Sequence, residues 1–156
     1  KLFDALQQHF GPLPLVAEDL GIITPEVDAL REKYCLPGMK ILQFAFDGSN
    51  SNLYLPHNHE TNSVVFTGTH DNNTTVGWFN SLPSECRQYV FDYLGATKDP
   101  MPWPLVRAAY QSVAGLAIIP MQDILMLGGE HRLNFPGTIG GNWQWRFEWS
   151  QLQGGS

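Results

Sequence analysis

Carboxylates recur at set places in this sequence. Glu18 and Asp19 close one short apolar run, Asp47 closes another, and Asp71 lies in Thr69-His70-Asp71-Asn72-Asn73 after a third. A protonated carboxyl can give its proton to a departing oxygen while an ionised partner attacks or steadies an oxocarbenium-like carbon, and breaking a glycosidic bond needs that pair of roles. Aromatic rings and amides suit the same chemistry, the rings by stacking on apolar sugar faces and the amides by bonding hydroxyls. Asn142 and Trp143, after Gly140-Gly141, offer one of each. The aromatic stretch 143–149 also fits simple packing against the body, which is our reading for Trp145 and Trp149. For Asn142 and Trp143 both readings stay open. Strand-end acids often serve as caps, and Asp19, ahead of Leu20-Gly21, reads as one.

A metal site is the competing reading. His57-Asn58-His59 and His70-Asp71 supply imidazoles and a carboxylate, and His is the commonest transition-metal ligand. No third ligand follows at a recognisable spacing, so no metal is expected.

The elements that must carry these residues follow from the apolar pattern. Residues 13–17, 39–46, 63–67 and 116–121 are rich in Val, Ile, Leu and Phe without clean polar alternation, as in parallel strands covered on both faces. Between the first two, Thr24-Pro25-Glu26 opens a helix that closes with Arg31 and Lys33. Two more helices are predicted over 84–94, stopped by Gly95, and over 103–113, opened by Pro102 and Pro104 and stopped by Gly115. Residues 47–62 are too polar and too rich in Gly, Asn and Pro for a helix, and read as a long exposed loop. This is an α/β order. Four parallel strands make half of an eight-stranded barrel or most of a small open sheet. In either case the carboxyl ends of the strands share one rim, so Glu18, Asp47 and Asp71 should converge there. The fourth run leads into Gln122-Asp123.

Composition excludes several classes of function. The 156 residues are 43% hydrophobic and 15% charged, enough for a packed core, and no internal domain boundary is evident. A formal charge of −6 argues against nucleic acid or an anionic membrane as partner. No apolar stretch reaches the roughly 18 residues of a membrane span. Cys35 and Cys86 are isolated and read as free thiols in a reducing compartment. The start Lys1-Leu2-Phe3 has neither an initiator Met nor a leader, and we expect the chain to begin in mid-protein.

Longer motifs carry a resemblance. Ala17-Glu18-Asp19-Leu20-Gly21, Leu36-Pro37-Gly38-Met39-Lys40, Leu42-Gln43-Phe44-Ala45-Phe46-Asp47, Thr67-Gly68-Thr69-His70-Asp71-Asn72, Pro120-Met121-Gln122-Asp123-Ile124-Leu125 and Gly141-Asn142-Trp143-Gln144-Trp145-Arg146 occur in order. In these motifs the chain resembles the 4-alpha-glucanotransferases, also called amylomaltases or disproportionating enzymes, of glycoside hydrolase family 77. The resemblance implies an α/β fold forming the C-terminal half of a TIM (β/α)₈ barrel, strands five to eight, with 1–156 as one partial catalytic domain. It implies retaining transfer of α-1,4-glucan segments, as in maltodextrin or starch, to a glucan or glucose acceptor, without metal or organic cofactor, in the cytoplasm or, in a plant or alga, a plastid.

By the same resemblance Glu18 is the general acid/base, Asp71 the stabiliser of the transition state, and His70 the holder of a sugar hydroxyl. Asp47 and Asn142 are substrate contacts, and Trp143 stands beside them as a candidate. The family nucleophile, an Asp on the preceding strand, is expected upstream of Lys1, so the missing N-terminal half of the barrel is an expected partner and the fragment alone is expected to be inactive. Met126 departs from the pattern, which has Gly there, and Gly140-Gly141 varies in length. The alternatives are a noncatalytic α-glucan-binding fragment and an α-glucan hydrolase.

Overall fold

The computed structural model describes residues 1–95 and 98–152. Among them three parallel strands form one sheet in the order β1 (Gly38–Ile41), β2 (Ser63–Phe66), β3 (Leu116–Ile118). Lys40 pairs with Val65 and Val65 with Ala117, which fixes the register. Successive side chains alternate between the two faces. Val65 and Ala117 pack among the helices, while Met39, Phe66 and Ile118 look the other way, into an open hollow.

Among the described residues six α-helices accompany the sheet: α1 (Leu2–Phe10), α2 (Pro25–Lys33), α3 (Thr75–Ser81), α4 (Ser84–Leu94), α5 (Trp103–Gln111) and α6 (Met121–Ile124). Pro25 starts α2, with Glu26 and Asp28 in its first turn and Arg31 and Lys33 in its last, all matched to the helix dipole. Gly95 ends α4 at φ 83°, a left-handed conformation that glycine adopts without steric cost. Leu42 and Val65 meet Phe79, Val90, Leu105 and Ala109 in the core between sheet and helices. None of the helices among the described residues is long and apolar enough to cross a membrane.

The expectation of four strands is corrected to three. Residues 13–17 form no strand, and the backbone bond that ties them toward the sheet is the Ala17 N–H on the carbonyl of Pro37, the residue before β1, at 2.8 Å. Pro12, Pro14 and Pro37 have no N–H to give a ladder. The Met39 N–H, which a strand would take, is bound instead by the Asp19 carboxylate at 2.6 Å. The three strands that form all end earlier than predicted, β2 by one residue at Phe66. β1 stops at Ile41, where 42–44 tighten into a 3₁₀ turn that buries Gln43, and β3 stops at Ile118 before α6 begins. Helix α5 ends at Gln111 rather than 113. Helices α1, α3 and α6 have no counterpart in the sequence reading.

The loop 47–62 is largely exposed, as expected, with two inward anchors. Leu55 is fully buried, and His59 is buried between the Ser112 hydroxyl (2.6 Å) and the Tyr54 carbonyl (2.8 Å).

Candidate active site

Glu18 and Asp71 stand on the rim of one hollow of about 350 Å³ at the carboxyl ends of the strands. Its wall is apolar where Met39, Phe66 and Ile118 reach it, and polar where His70 and Arg132 do. Both carboxylates are exposed to solvent.

Local turn chemistry presents the second of them. After β2, Asn72 Oδ1 accepts the Thr69 N–H at 2.8 Å and the Thr69 hydroxyl at 2.9 Å, and the Asp71 N–H donates to Thr69 Oγ1 at 3.3 Å. This closed turn pushes His70 and Asp71 outward. Beneath it, the carboxylate of Asp123 is buried and accepts the Thr67 hydroxyl (2.6 Å), the Thr75 N–H (2.8 Å) and the Thr75 hydroxyl (2.7 Å). One side chain of α6 thereby joins the end of β2 to the start of α3. Gln43 adds a bond from Nε2 to the Asn73 carbonyl at 2.9 Å.

Asp71 is also held from a distant segment. Asn134 Nδ2 donates to Asp71 Oδ1 at 2.6 Å, and Arg132 Nη2 donates to the Asp71 carbonyl at 2.5 Å. His70 Nε2 lies 3.3 Å from Asp71 Oδ1, an ion pair when the imidazole is protonated. Sequence reasoning missed Arg132 and Asn134. They lie in an irregular segment and meet Asp71 across 61 and 63 residues, so no local pattern marks them.

Of the three acids expected to converge, Asp47 stands apart, and Asn142 and Trp143 lie on a loop of their own. Asp47 does not line the Glu18–Asp71 hollow; it accepts the Ser49 N–H at 2.9 Å and faces a neighbouring hollow with Asp19, Arg31 and Tyr54. The reason is the early end of β1, which leaves Asp47 beyond a 3₁₀ turn rather than at a strand end. Asn142 spends its amide on its own loop, accepting the Phe135 N–H at 2.9 Å and donating to Thr138 Oγ1 at 3.1 Å. Trp143 is 54% exposed, has φ 64°, and lays its ring 4.9 Å from that of His70, which brings it to the rim through that histidine.

Packing holds for Trp145, half-buried with its indole N–H on His131 Nδ1 at 3.1 Å, but not for Trp149, which is 75% exposed. Of the histidines in the metal reading, His70 stays beside Asp71, while His57 and His59 are engaged elsewhere. His57 bonds the Tyr93 hydroxyl at 2.7 Å and the Asn50 carbonyl at 3.0 Å, and burial pushes the His59 imidazole below its ordinary pKa. Among the described residues no three His, Cys, Asp or Glu side chains come together as a metal site.

Comparison with known proteins gives this geometry a context. Residues 1–152 match the profile of the glycoside hydrolase 77 family, described as 4-alpha-glucanotransferase. The chain is 53% identical over 155 residues to the 4-alpha-glucanotransferase of Synechocystis sp., covering 97% of this chain and 31% of the relative. It is 49% identical over 154 residues to that of Thermus thermophilus, covering 94% and 31%. A chloroplastic/amyloplastic 4-alpha-glucanotransferase of Arabidopsis thaliana is 50% identical over 146 residues, covering 93% and 25%. Among solved structures, amylomaltase from Streptococcus agalactiae in complex with acarbose superposes with a TM-score of 0.93 at 37% identity, over 97% of this chain and 31% of that one. The chain thus spans about a third of the length of the first two relatives.

Proposed function

Because this chain belongs to the 4-alpha-glucanotransferase family, we propose that it carries the acid/base side of an active site that transfers α-1,4-glucan segments between sugar chains. The observation that supports this reading is the shared hollow of Glu18 and Asp71, with an apolar wall and polar rim suited to a sugar. The three parallel strands are read as part of a (β/α)₈ barrel, roughly strands five to eight of it, with residues 13–17 in the position of the fourth.

In this mechanism Glu18 protonates the departing glucan oxygen and later takes the proton of an acceptor 4-hydroxyl, while Asp71 steadies the positive charge of the sugar ring in both steps. The nucleophilic Asp that the family resemblance puts on the preceding strand must come within about 5 Å of Glu18 for retaining chemistry. We assign it to a segment outside these 156 residues, so the chain binds glucan without turning it over. His70, Asp47, Asn142 and Trp143 are proposed as sugar contacts, with α-1,4-glucans as donors and a glucan or glucose as acceptor. The proposed compartment is the cytoplasm, or a plastid in a plant or alga.

The test is incubation of the purified chain with maltotriose, with glucose release and maltooligosaccharide binding both measured. Binding without glucose supports the reading. Glucose release would overturn the assignment of the nucleophile, and absence of binding would overturn the glucan site.

A further inference from the structure

We propose that Asn134 is the positioning residue for the Asp71 carboxylate, braced by Arg132, and that the two reserve one carboxylate oxygen for the charged sugar ring; this rests on the glucan reading above. Asn134 Nδ2 and His70 Nε2 both converge on Oδ1 of Asp71, at 2.6 and 3.3 Å. Among the described residues Oδ2 takes no hydrogen bond, so it is the oxygen left for a ligand. The Asn134 amide orientation follows from its partner, since a carboxylate only accepts and the facing atom must be the NH₂.

A carboxylate on a half-exposed loop is free to turn about two side-chain torsions. One short, charge-assisted bond removes that freedom before substrate arrives. Arg132 makes the constraint rigid, because a single guanidinium reaches the backbone of both partners. Its Nη2 donates to the Asp71 carbonyl at 2.5 Å, and its Nε donates to the Asn134 carbonyl at 2.8 Å. The same guanidinium lies 4.3 Å from the centre of the Phe135 ring. A lysine has no planar fork with which to span two carbonyls.

Asn142 and Trp143 fasten the segment that carries the clamp. The Trp143 N–H donates to the Leu133 carbonyl at 2.8 Å, and Asn142 Oδ1 accepts the Phe135 N–H at 2.9 Å. Residues 132–135 are therefore tied on one side to the Asp71 turn and on the other to 142–143. A substitution at Asn142 then disturbs Asp71 through Asn134, even where Asn142 touches no sugar.

The experiment is a double-mutant cycle read by acarbose affinity of the chain in calorimetry, with Asn134→Ala, Asp71→Ala and the double variant. Asn134→Ala is expected to weaken acarbose about tenfold when Asp71 is present and less than about twofold on the Asp71→Ala background, because the amide acts through that carboxylate. Equal losses on the two backgrounds, or no loss on either, would overturn the proposal. A second readout needs neither sugar nor an Asn134 variant. The Asn134 side-chain NH₂ resonances are expected to move in Asp71→Ala, which removes their acceptor, and unmoved resonances would overturn the clamp. If the unmutated chain binds no acarbose while those resonances do move, the glucan reading falls and the clamp stands.

Discussion

Asp19 Oδ1 accepts the Met39 N–H at 2.6 Å, so a side-chain carboxylate fills the ladder position that a neighbouring strand would take on β1. Arg31 Nε sits 3.6 Å from the other oxygen, and a Cβ on Gly38 would come 2.1 Å from it. Glycine is thus required at 38 for close approach and not for an unusual backbone angle. Gly38→Ala is expected to cost about 2 kcal/mol by overpacking, and Asp19→Ala about 1–3 kcal/mol by leaving the Met39 N–H without its acceptor, while Arg31 keeps Asp28, Glu60 and the Leu36 carbonyl. Urea denaturation measures both, and a loss below about 0.5 kcal/mol for either, the ordinary range for a surface change, would show that this edge is not held as described.

Asp123 is the second structural acid. It is buried and accepts three hydrogen bonds from Thr67 and Thr75. Asp123→Ala strands those donors and is expected to destabilise the chain by about 3 kcal/mol, while Thr67→Val, which removes one bond and keeps the shape, costs about 1 kcal/mol. Thermal melts of the two variants check the order. A larger loss for Thr67→Val than for Asp123→Ala would contradict it.

Acid should loosen the 47–62 loop through His59. The Tyr54 carbonyl can only accept, so His59 Nε2 carries the proton and Nδ1 accepts the Ser112 hydroxyl, whose oxygen in turn accepts the Ala114 N–H at 3.1 Å. Burial holds the folded pKa below the ordinary imidazole value. The unfolded chain therefore takes up the proton first as pH falls. Stability is fully present above the unfolded value and is lost as pH falls through the folded one. Urea midpoints should drop between pH 7.5 and 5, and His59→Gln should flatten much of that slope; an unchanged slope in His59→Gln would exclude this histidine as the cause.

Apolar surface on the sheet predicts self-association. Leu116 and Ile118 of β3 are exposed, as are Leu15 and Val16 in the segment 13–17. An edge strand with exposed large apolar side chains invites pairing. Light scattering should report association that grows with concentration and is reduced by Leu116→Lys, whereas a chain that stays monomeric at every concentration would count against it.

Three of the six helices among the described residues, α2, α4 and α5, were legible because their signals are local. Pro25 with flanking acids and bases marks α2, and Ser84 with Gly95 brackets α4. The strand count was not legible. Residues 13–17 have strand composition, but their pairing partner is occupied by an aspartate beyond their end, and no periodicity encodes that. Met126 shows the opposite case. It stands where the family resemblance expects Gly, and its φ of 55° is the left-handed conformation that a Gly supplies cheaply. In the candidate site, Glu18 and Asp71 could be named from their motifs. The clamp of Arg132 and Asn134 could not, since the contact exists only after the chain has folded back over more than sixty residues.

Whether Glu18 and Asp71 frame one sugar-binding hollow is read by an amide chemical-shift map of the chain titrated with acarbose. Saturable shifts centred on Glu18, Phe66, His70 and Asp71 are expected. Saturable shifts confined to the separate surface hollow between Trp103 and Tyr110, or no shifts at all, would contradict that shared hollow.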